Sequence, residues 1–188
     1  QGRKNPGPPL QHHDPENFFR TLPFSPTNAQ RRAVGQAFAD LCSGSRMNRL
    51  LQGDVGSGKT LVAAACAWLA IQNGKQAVIM APTELLARQH KATLEKFLGN
   101  LDIPVELLIS AMPAAEKRRV LARAQSGEPL VLCGTHALIQ NDVEIPNAAL
   151  IVVDEQHRFG VAQRAALNQK TDRGHLLAMS ATPIPRTL

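Results

Sequence analysis

The feature that most constrains the fold of this 188-residue chain is a glycine-rich segment, Gly53-Asp54-Val55-Gly56-Ser57-Gly58-Lys59-Thr60. It matches the pattern G-x-x-x-x-G-K-[ST] and lies between the apolar pair Leu50-Leu51 and the apolar run 61–71. Its glycines let the backbone turn tightly and bring N–H groups against phosphate oxygens. The positive end of the helix predicted after it adds to the attraction. The segment therefore predicts a phosphate-binding loop between a strand and a helix.

Strand and helix patterns alternate along the rest of the chain. Helices are predicted at 28–43, 60–73, 84–98 and 114–126. Apolar runs predict strands at 49–52, 76–81, 105–110, 129–134, 149–153 and 175–180. This order predicts a doubly wound, mostly parallel α/β sheet flanked by helices, in which ligands bind beyond the carboxyl ends of the strands.

The phosphate loop and an acidic pair together predict hydrolysis of a nucleoside triphosphate. Lys59 is expected to reach the β- and γ-phosphates, and the Thr60 hydroxyl is expected to ligate Mg²⁺. Asp154 and Glu155 directly follow the apolar run 150–153. Asp154 can hold Mg²⁺ through water, whereas Glu155 can orient and deprotonate the water that attacks the γ-phosphate.

Residues upstream of the loop indicate which base is bound. The amide of Gln30 offers one donor and one acceptor, so it can pair with N6 and N7 of adenine and make the nucleotide ATP. Phe24 is a candidate to pack against the base, and a place in the local core is an equal alternative.

Two further groups of residues are interpreted as a coupling apparatus. Gln156 and His157 follow the acidic pair directly, which favours a hydrogen-bonding relay toward a DNA-binding surface. Ser180 and Thr182 bring two hydroxyls to the end of a strand, before a proline-stiffened turn. This arrangement is typical of a switch that senses the γ-phosphate, although an ordinary turn would have the same composition.

Composition and charge set limits on partners and location. A net charge of +6 favours a polyanionic partner, while a single tryptophan and no tyrosine argue against aromatic stacking of single strands. Three widely spaced cysteines fit neither a disulfide framework nor a zinc site. With no secretory signal and no apolar run long enough for a bilayer, we expect a cytoplasmic protein without membrane contact. Residues 1–23 contain five prolines and are expected to be a linker with little core, followed by one domain at 24–188.

With these residues in hand, the chain resembles the superfamily 2 helicases, which are phosphate-loop NTPases with a RecA-like fold. The matching stretches are 53–60 (motif I), 81–86 (Ia), 134–139 (Ib), 154–157 (II, in its DExH form) and 180–186 (III), with Gln30 at the Q motif. Residues 47–52, GTHALIQ and DEQHRFGVAQR are similar to the RecG family of bacterial ATP-dependent DNA helicases. The transcription-repair coupling factors are the alternative; they usually carry DEEH and an aromatic residue in the loop, where this chain has Gln156 and Ser57.

The resemblance implies a monomeric motor that remodels branched double-stranded DNA by reversing stalled forks and migrating Holliday junctions. It implies an upstream wedge domain, and a second RecA-like domain whose arginines assist hydrolysis. Without them the isolated chain is expected to bind nucleotide weakly and to hydrolyse it hardly at all. The resemblance also implies contacts with the DNA backbone phosphates at Thr83, Thr135, Arg88, Arg158 and Arg186. For the three arginines, a solvated surface role is an equal alternative. The basic cluster Lys117, Arg118, Arg119 and Arg123 is interpreted as a solvated helix face.

Two other classes of protein share parts of this pattern. A kinase or transporter ATPase would contain the phosphate loop, but a kinase has no use for SATPIPR and the transporter signature is absent from the sequence. A DNA-binding module without activity would not need Lys59, Thr60, Asp154 and Glu155 together. The sequence therefore favours an ATP-driven motor domain.

Overall fold

The computed structural model describes residues 10–52, 58–140, 142–154 and 174–180. In this part of the chain six strands form one sheet, in the order β1-β6-β5-β2-β4-β3, and every pair of neighbours is parallel. The strands are β1 (Asn48–Gln52), β2 (Gln76–Met80), β3 (Val105–Leu108), β4 (Val131–Gly134), β5 (Ala148–Asp154) and β6 (His175–Ser180). β1 lies at an edge and is partly exposed, whereas β2, β4 and β5 are buried throughout. The predicted doubly wound α/β architecture is confirmed.

Helices flank the sheet, and local capping fixes where they begin. They are α1 (Glu16–Phe19), α2 (Asn28–Leu41), α3 (Lys59–Gln72), α4 (Glu84–Leu98) and α5 (Ala114–Gln125), with short 3₁₀ helices at Gly99–Leu101 and His136–Ile139. The Thr83 hydroxyl accepts from the N–H of Leu86, which satisfies one of the donors that α4 leaves unpaired at its first turn. α5 begins after Pro113, and the turn that follows it uses Gly127, whose φ is 80°.

The core is centred on α3, which is apolar on all sides because it is covered on all sides. Residues 61–70 are all buried, and α3 packs against α2, α4 and the strands β2 and β5. Trp68 stacks on Phe38 with ring centroids 6.2 Å apart. The single tryptophan therefore belongs to the core.

The segment before α2 contributes more to the core than its prolines suggested. Leu10, Phe18 and Phe19 are buried in the main hydrophobic cluster, and the rings of Phe18 and Trp68 lie 5.9 Å apart. Arg31 of α2 pairs with Glu16 and stands over the Phe19 ring, 5.0 Å from its centroid. The prediction that residues 1–23 hold little core is wrong for the described part, because three apolar side chains dock there among the prolines.

Two of the three cysteines, Cys66 and Cys133, are fully buried and unpaired. Burial raises the pKa of each thiol to about 12, so both stay protonated and act as small apolar side chains.

Within the described residues, no helix combines the length and apolarity that crossing a bilayer requires.

Two members of the basic cluster on α5, Arg119 and Arg123, form ion pairs within the domain. Arg119 donates to both carboxylate oxygens of Glu106 in β3, at 3.1 and 2.9 Å, and Arg123 pairs with Glu106 and with Glu128. Burial alone would raise the pKa of the Glu106 carboxyl, but hydrogen bonds from Arg119 and Arg123 hold it below its ordinary value. These arginines attach α5 to the sheet edge.

We expect Glu106→Gln to lower the free energy of unfolding at pH 7 by about 1–2 kcal/mol, because two arginines lose their shared charged acceptor. A carboxyl with a lowered pKa in the folded state stabilises the fold above its ordinary pKa and loses that effect as the pH falls. Urea unfolding should therefore show the gap between wild type and variant closing as the pH falls below the ordinary value of 4.5. Glu116→Gln, at an exposed carboxylate on the same Arg119, is the control and should change little. A gap that stayed constant down to pH 3 would contradict this account.

Candidate active site

Three of the sequence motifs meet at adjacent strand ends. In the sheet order β1-β6-β5, Gln52 at the end of β1 is level with Ser180 in β6, and Met179 is level with Asp154 in β5. Gln52, the residue before the glycine-rich segment, therefore lies at a strand end that only β6 separates from Asp154. Parallel pairing with this strand order brings together residues about a hundred positions apart.

A cavity of about 440 Å³ opens beside these strand ends, between the N-terminus of α3 and one face of α4. This volume lies in the range of small-molecule sites. The residues that line the cavity are Phe24, Gln30, Gly58, Lys59, Thr60, Leu61, Leu86, Gln89, His90, Thr93, Phe97, Asp154 and Met179. The cavity is therefore lined by five residues that were predicted to bind phosphate, metal or base, together with Gly58 of the loop.

The N-terminus of α3 forms the phosphate-facing wall. Gly58 is the N-cap residue and has a left-handed backbone with φ of 95°, which a residue with a Cβ rarely adopts. Lys59 and Thr60 are the first two residues of the helix. The N–H groups of a first helical turn point out of the helix, and together with the helix dipole they favour an anion at this position.

Asp154 ends β5 inside the cavity and is 6% exposed. Its Oδ2 lies 2.7 Å from Nε2 of His90 in α4. The Thr60 hydroxyl and the Asp154 carboxylate offer oxygen ligands on the same cavity, the type that Mg²⁺ prefers. In the described ranges no group of three or more His, Cys, Asp and Glu could hold a metal by itself. This donor set suits Mg²⁺, which binds through one or two protein oxygens together with phosphates and water.

Gln30 contacts the phosphate-facing wall and also caps its own helix. Its Oε1 accepts from the N–H of Thr27 at 2.8 Å, and its own N–H donates to the Thr27 hydroxyl at 3.1 Å, which forms a capping box. Its Nε2 lies so close to Gly58 that a Cβ built there would overlap it. The absence of a side chain at Gly58 thus allows α2 to touch the start of α3.

Phe24 stands at the rim of the cavity and outside the core. It is 44% exposed, and its ring meets that of Phe97 edge-on with centroids 6.1 Å apart. The alternative that Phe24 is a local core residue is therefore wrong. Both rings line the cavity, and Phe97 lies on the same face of α4 as Thr93.

One wall of the cavity was not predicted. This wall is one face of α4, formed by residues that are spaced three and four positions apart. They are Leu86, Gln89, His90, Thr93 and Phe97. This spacing is visible in the sequence, but it mixes apolar and polar residues and does not by itself indicate a ligand.

The residues proposed to contact DNA have different environments. Thr83 and Arg88 are exposed at the start and on the surface of α4. Thr135 is only 2% exposed, and its hydroxyl accepts from the N–H of Ala137 at the start of a 3₁₀ helix. The expectation that Thr135 presents a hydroxyl to DNA is therefore wrong, because the side chain is enclosed by its own turn.

Ser180 ends β6 next to Met179, which lines the cavity. Several proposed site residues lie outside the described part of the chain. They are Gly53, Asp54, Val55, Gly56, Ser57, Glu155, Gln156, His157, Arg158, Thr182 and Arg186.

The fold and this cavity define a class of protein. The profile of the DEAD/DEAH box helicases matches residues 27–188, and the chain belongs to this family. Within it, the chain is similar to the ATP-dependent DNA helicase RecG of Synechocystis sp., with 50% identity over 92% of this chain, and to that of Bacillus subtilis, with 50% identity over 91%. The resemblance to the RecG family is thereby confirmed.

Solved structures agree with this assignment. A structure of RecG bound to a three-way DNA junction superposes with a TM-score of 0.84 at 42% identity, covering 97% of this chain and 25% of that one. The helicase domain of Hef from Pyrococcus furiosus is 21% identical with a TM-score of 0.64, covers 86% of this chain and 34% of that one, and supports the fold alone. The chain spans 21% and 25% of the lengths of the Synechocystis and Bacillus relatives.

The backbone of Gly58 yields a stability prediction. Gly58→Ala should lower the free energy of unfolding by about 1–2 kcal/mol, because a Cβ is strained at this φ and would displace the Gln30 amide. Gly35→Ala is the matched control: Gly35 lies inside α2 with nothing within 4 Å of an added Cβ, so it should stabilise by about 0.5–1 kcal/mol. Equal effects of the two substitutions in urea unfolding would contradict the strained N-cap.

Proposed function

We propose that this chain is the ATP-binding motor domain of a DNA helicase or translocase that remodels branched DNA. The observation that carries the proposal is the presence of Lys59, Thr60 and Asp154 on one cavity, with Gln30 and Phe24 on its rim. RecG relatives at 50% identity support this assignment over a transcription-repair coupling factor. The activity of a whole protein of this kind, including fork reversal and Holliday junction migration, is part of the proposal.

Phosphate binding is assigned to the start of α3 and the loop before it. The Lys59 ammonium would neutralise charge on the β- and γ-phosphates, and the N–H groups of Gly58, Lys59 and Thr60 would donate to phosphate oxygens. The loop residues Gly53–Ser57 would complete this cradle. The α3 dipole acts in the same direction, because its positive end faces the cavity.

Thr60 and Asp154 are assigned to Mg²⁺, Thr60 directly and Asp154 through water. When bound, Mg²⁺ would offset the negative charge on the β- and γ-phosphate oxygens. Glu155 directly follows Asp154, and we assign it the role of general base for the attacking water. Asp154 is the last residue of a fully buried strand, which limits how far it can move.

The base is assigned to the end of the cavity that holds Gln30, Phe24 and Phe97. The Gln30 carbonyl oxygen already accepts from Thr27, but it has a second lone pair for the adenine amino group. Phe24 is exposed and next to Phe97, which supports packing of the two rings against an adenine face or edge.

Coupling and DNA binding are assigned to residues around the same strand ends. Ser180 and Thr182, with Gln156 and His157, would report the state of the γ-phosphate to the DNA surface.

Thr83 and Arg88 are exposed on α4 and are assigned to contacts with the DNA backbone phosphates. Arg158 and Arg186 are further candidates for such contacts. The RecG structure similar to this chain is bound to a three-way DNA junction, which supports branched DNA as the partner. A second RecA-like domain, a wedge domain, a monomeric state and a cytoplasmic location complete the proposal.

The proposed chemistry is tested in the full-length protein on a model three-way junction. Lys59→Ala should weaken nucleotide binding about 10- to 100-fold, because a charge-assisted contact to phosphate is lost. Glu155→Gln should keep binding but slow hydrolysis about 10²- to 10⁴-fold. Both should abolish ATP-dependent strand separation, whereas Lys96→Ala, at an exposed lysine of α4, should retain it. A Glu155→Gln protein with near-normal turnover would remove Glu155 from the role of base.

Base recognition is tested by Gln30→Glu. A glutamate preserves the capping box but replaces the amide donor by an anionic acceptor, so thermal stability should stay close to wild type. The affinity for ATP should fall about tenfold, because N7 of adenine loses one hydrogen-bond donor. Gln36→Glu, elsewhere on α2, is the matched control. If the affinity for ATP is unchanged while the fold is intact, Gln30 does not contact the base.

A further inference from the structure

His90, which lies on α4, contacts Asp154 at the end of β5. Nε2 of His90 lies 2.7 Å from Oδ2 of Asp154, and the two side chains are 12% and 9% exposed. A carboxylate at this site can only accept, so the proton of the hydrogen bond is on Nε2. Charge-assisted hydrogen bonds of this length are among the strong ones.

His90 is held in place by the packing of its helix. α4 buries Ala87, Leu94 and Leu98 on one side, and its start is fixed by the Thr83 cap. His90 lies on the side that faces the cavity, between Leu86 and Thr93. The imidazole is therefore carried by a rigid element that does not belong to the strand of Asp154.

We infer that His90 is a positioning residue for Mg²⁺, acting through Asp154. The hydrogen bond from His90 fixes the rotation of the Asp154 carboxylate. It therefore determines how the carboxylate oxygens are oriented toward the metal and its water. This inference rests on the proposed function, since it assumes that Asp154 holds the Mg²⁺ of a bound nucleotide. Partners that orient metal-binding side chains typically change metal affinity about 10- to 100-fold when removed.

A packing role and a positioning role predict different measurements. If His90 only fills space, a substitution lowers thermal stability, or it changes the nucleotide affinity by the same factor with and without Mg²⁺. If it orients Asp154, the affinity for nucleotide in EDTA is unchanged and only the increase produced by Mg²⁺ is lost. The Mg²⁺ dependence of binding therefore separates the two roles without measuring turnover.

The experiment uses the full-length protein and a fluorescent ADP analogue, titrated in EDTA and over a range of Mg²⁺ concentrations. His90→Leu keeps an apolar side chain of similar bulk but has no donor, whereas His90→Gln can bring an N–H close to the position of Nε2. We expect His90→Leu to need about 10- to 100-fold more Mg²⁺ for half-maximal effect. His90→Gln should restore a value near wild type. Lys91→Ala is the control on the same helix, at a residue paired with Glu95 and away from the cavity.

Wild-type Mg²⁺ dependence in His90→Leu would overturn the inference. So would a folded His90→Gln protein that loses Mg²⁺ dependence as fully as His90→Leu. If His90→Leu does not fold, as judged by thermal melting, the comparison of His90→Gln with wild type decides. Lys59→Ala separates the two proposals: if it also leaves nucleotide binding unchanged, the proposed function fails, whereas loss of binding there with normal His90→Leu refutes only the role of His90.

Discussion

Parallel pairing of β1, β6 and β5 is the constraint on which the candidate site depends. It brings the start of α3, which follows β1 through the glycine-rich segment, beside Asp154 at the end of β5. The core makes this arrangement rigid, because α3 is buried on all sides and β5 is buried throughout. A helix N-terminus that attracts anions and a carboxylate that attracts cations then face one cavity, which is the electrostatic arrangement that a magnesium-bound polyphosphate requires.

The helix α4 provides the second half of the cavity and has more than one role. Its start is capped by Thr83, its inner side packs into the domain, and its cavity side carries His90 and Phe97. Gln30 is similar in having two roles, since one amide caps α2 and also touches Gly58. Substitutions at such residues change stability and binding together, so conservative variants that keep one role are the informative ones.

Most of the architecture could be predicted from the sequence because it depends on local patterns. The six apolar runs became the six strands of the described sheet, and the four predicted helices correspond to α2, α3, α4 and α5. The parts that could not be predicted depend on contacts between distant residues. The docking of Phe18 on Trp68, the burial of Thr135, and the hydrogen bond between His90 and Asp154, 64 positions apart, leave no periodic signal in the sequence.

The central claim is that one magnesium-bound nucleotide contacts both the start of α3 and the end of β5. A crystal structure with Mn²⁺ in place of Mg²⁺ and a non-hydrolysable ATP analogue tests it directly, since anomalous scattering locates the metal. The account predicts a metal about 2.1 Å from Oγ1 of Thr60, linked through water to Asp154, with the terminal phosphate at Lys59. A metal or triphosphate bound away from both Thr60 and Asp154 would contradict it.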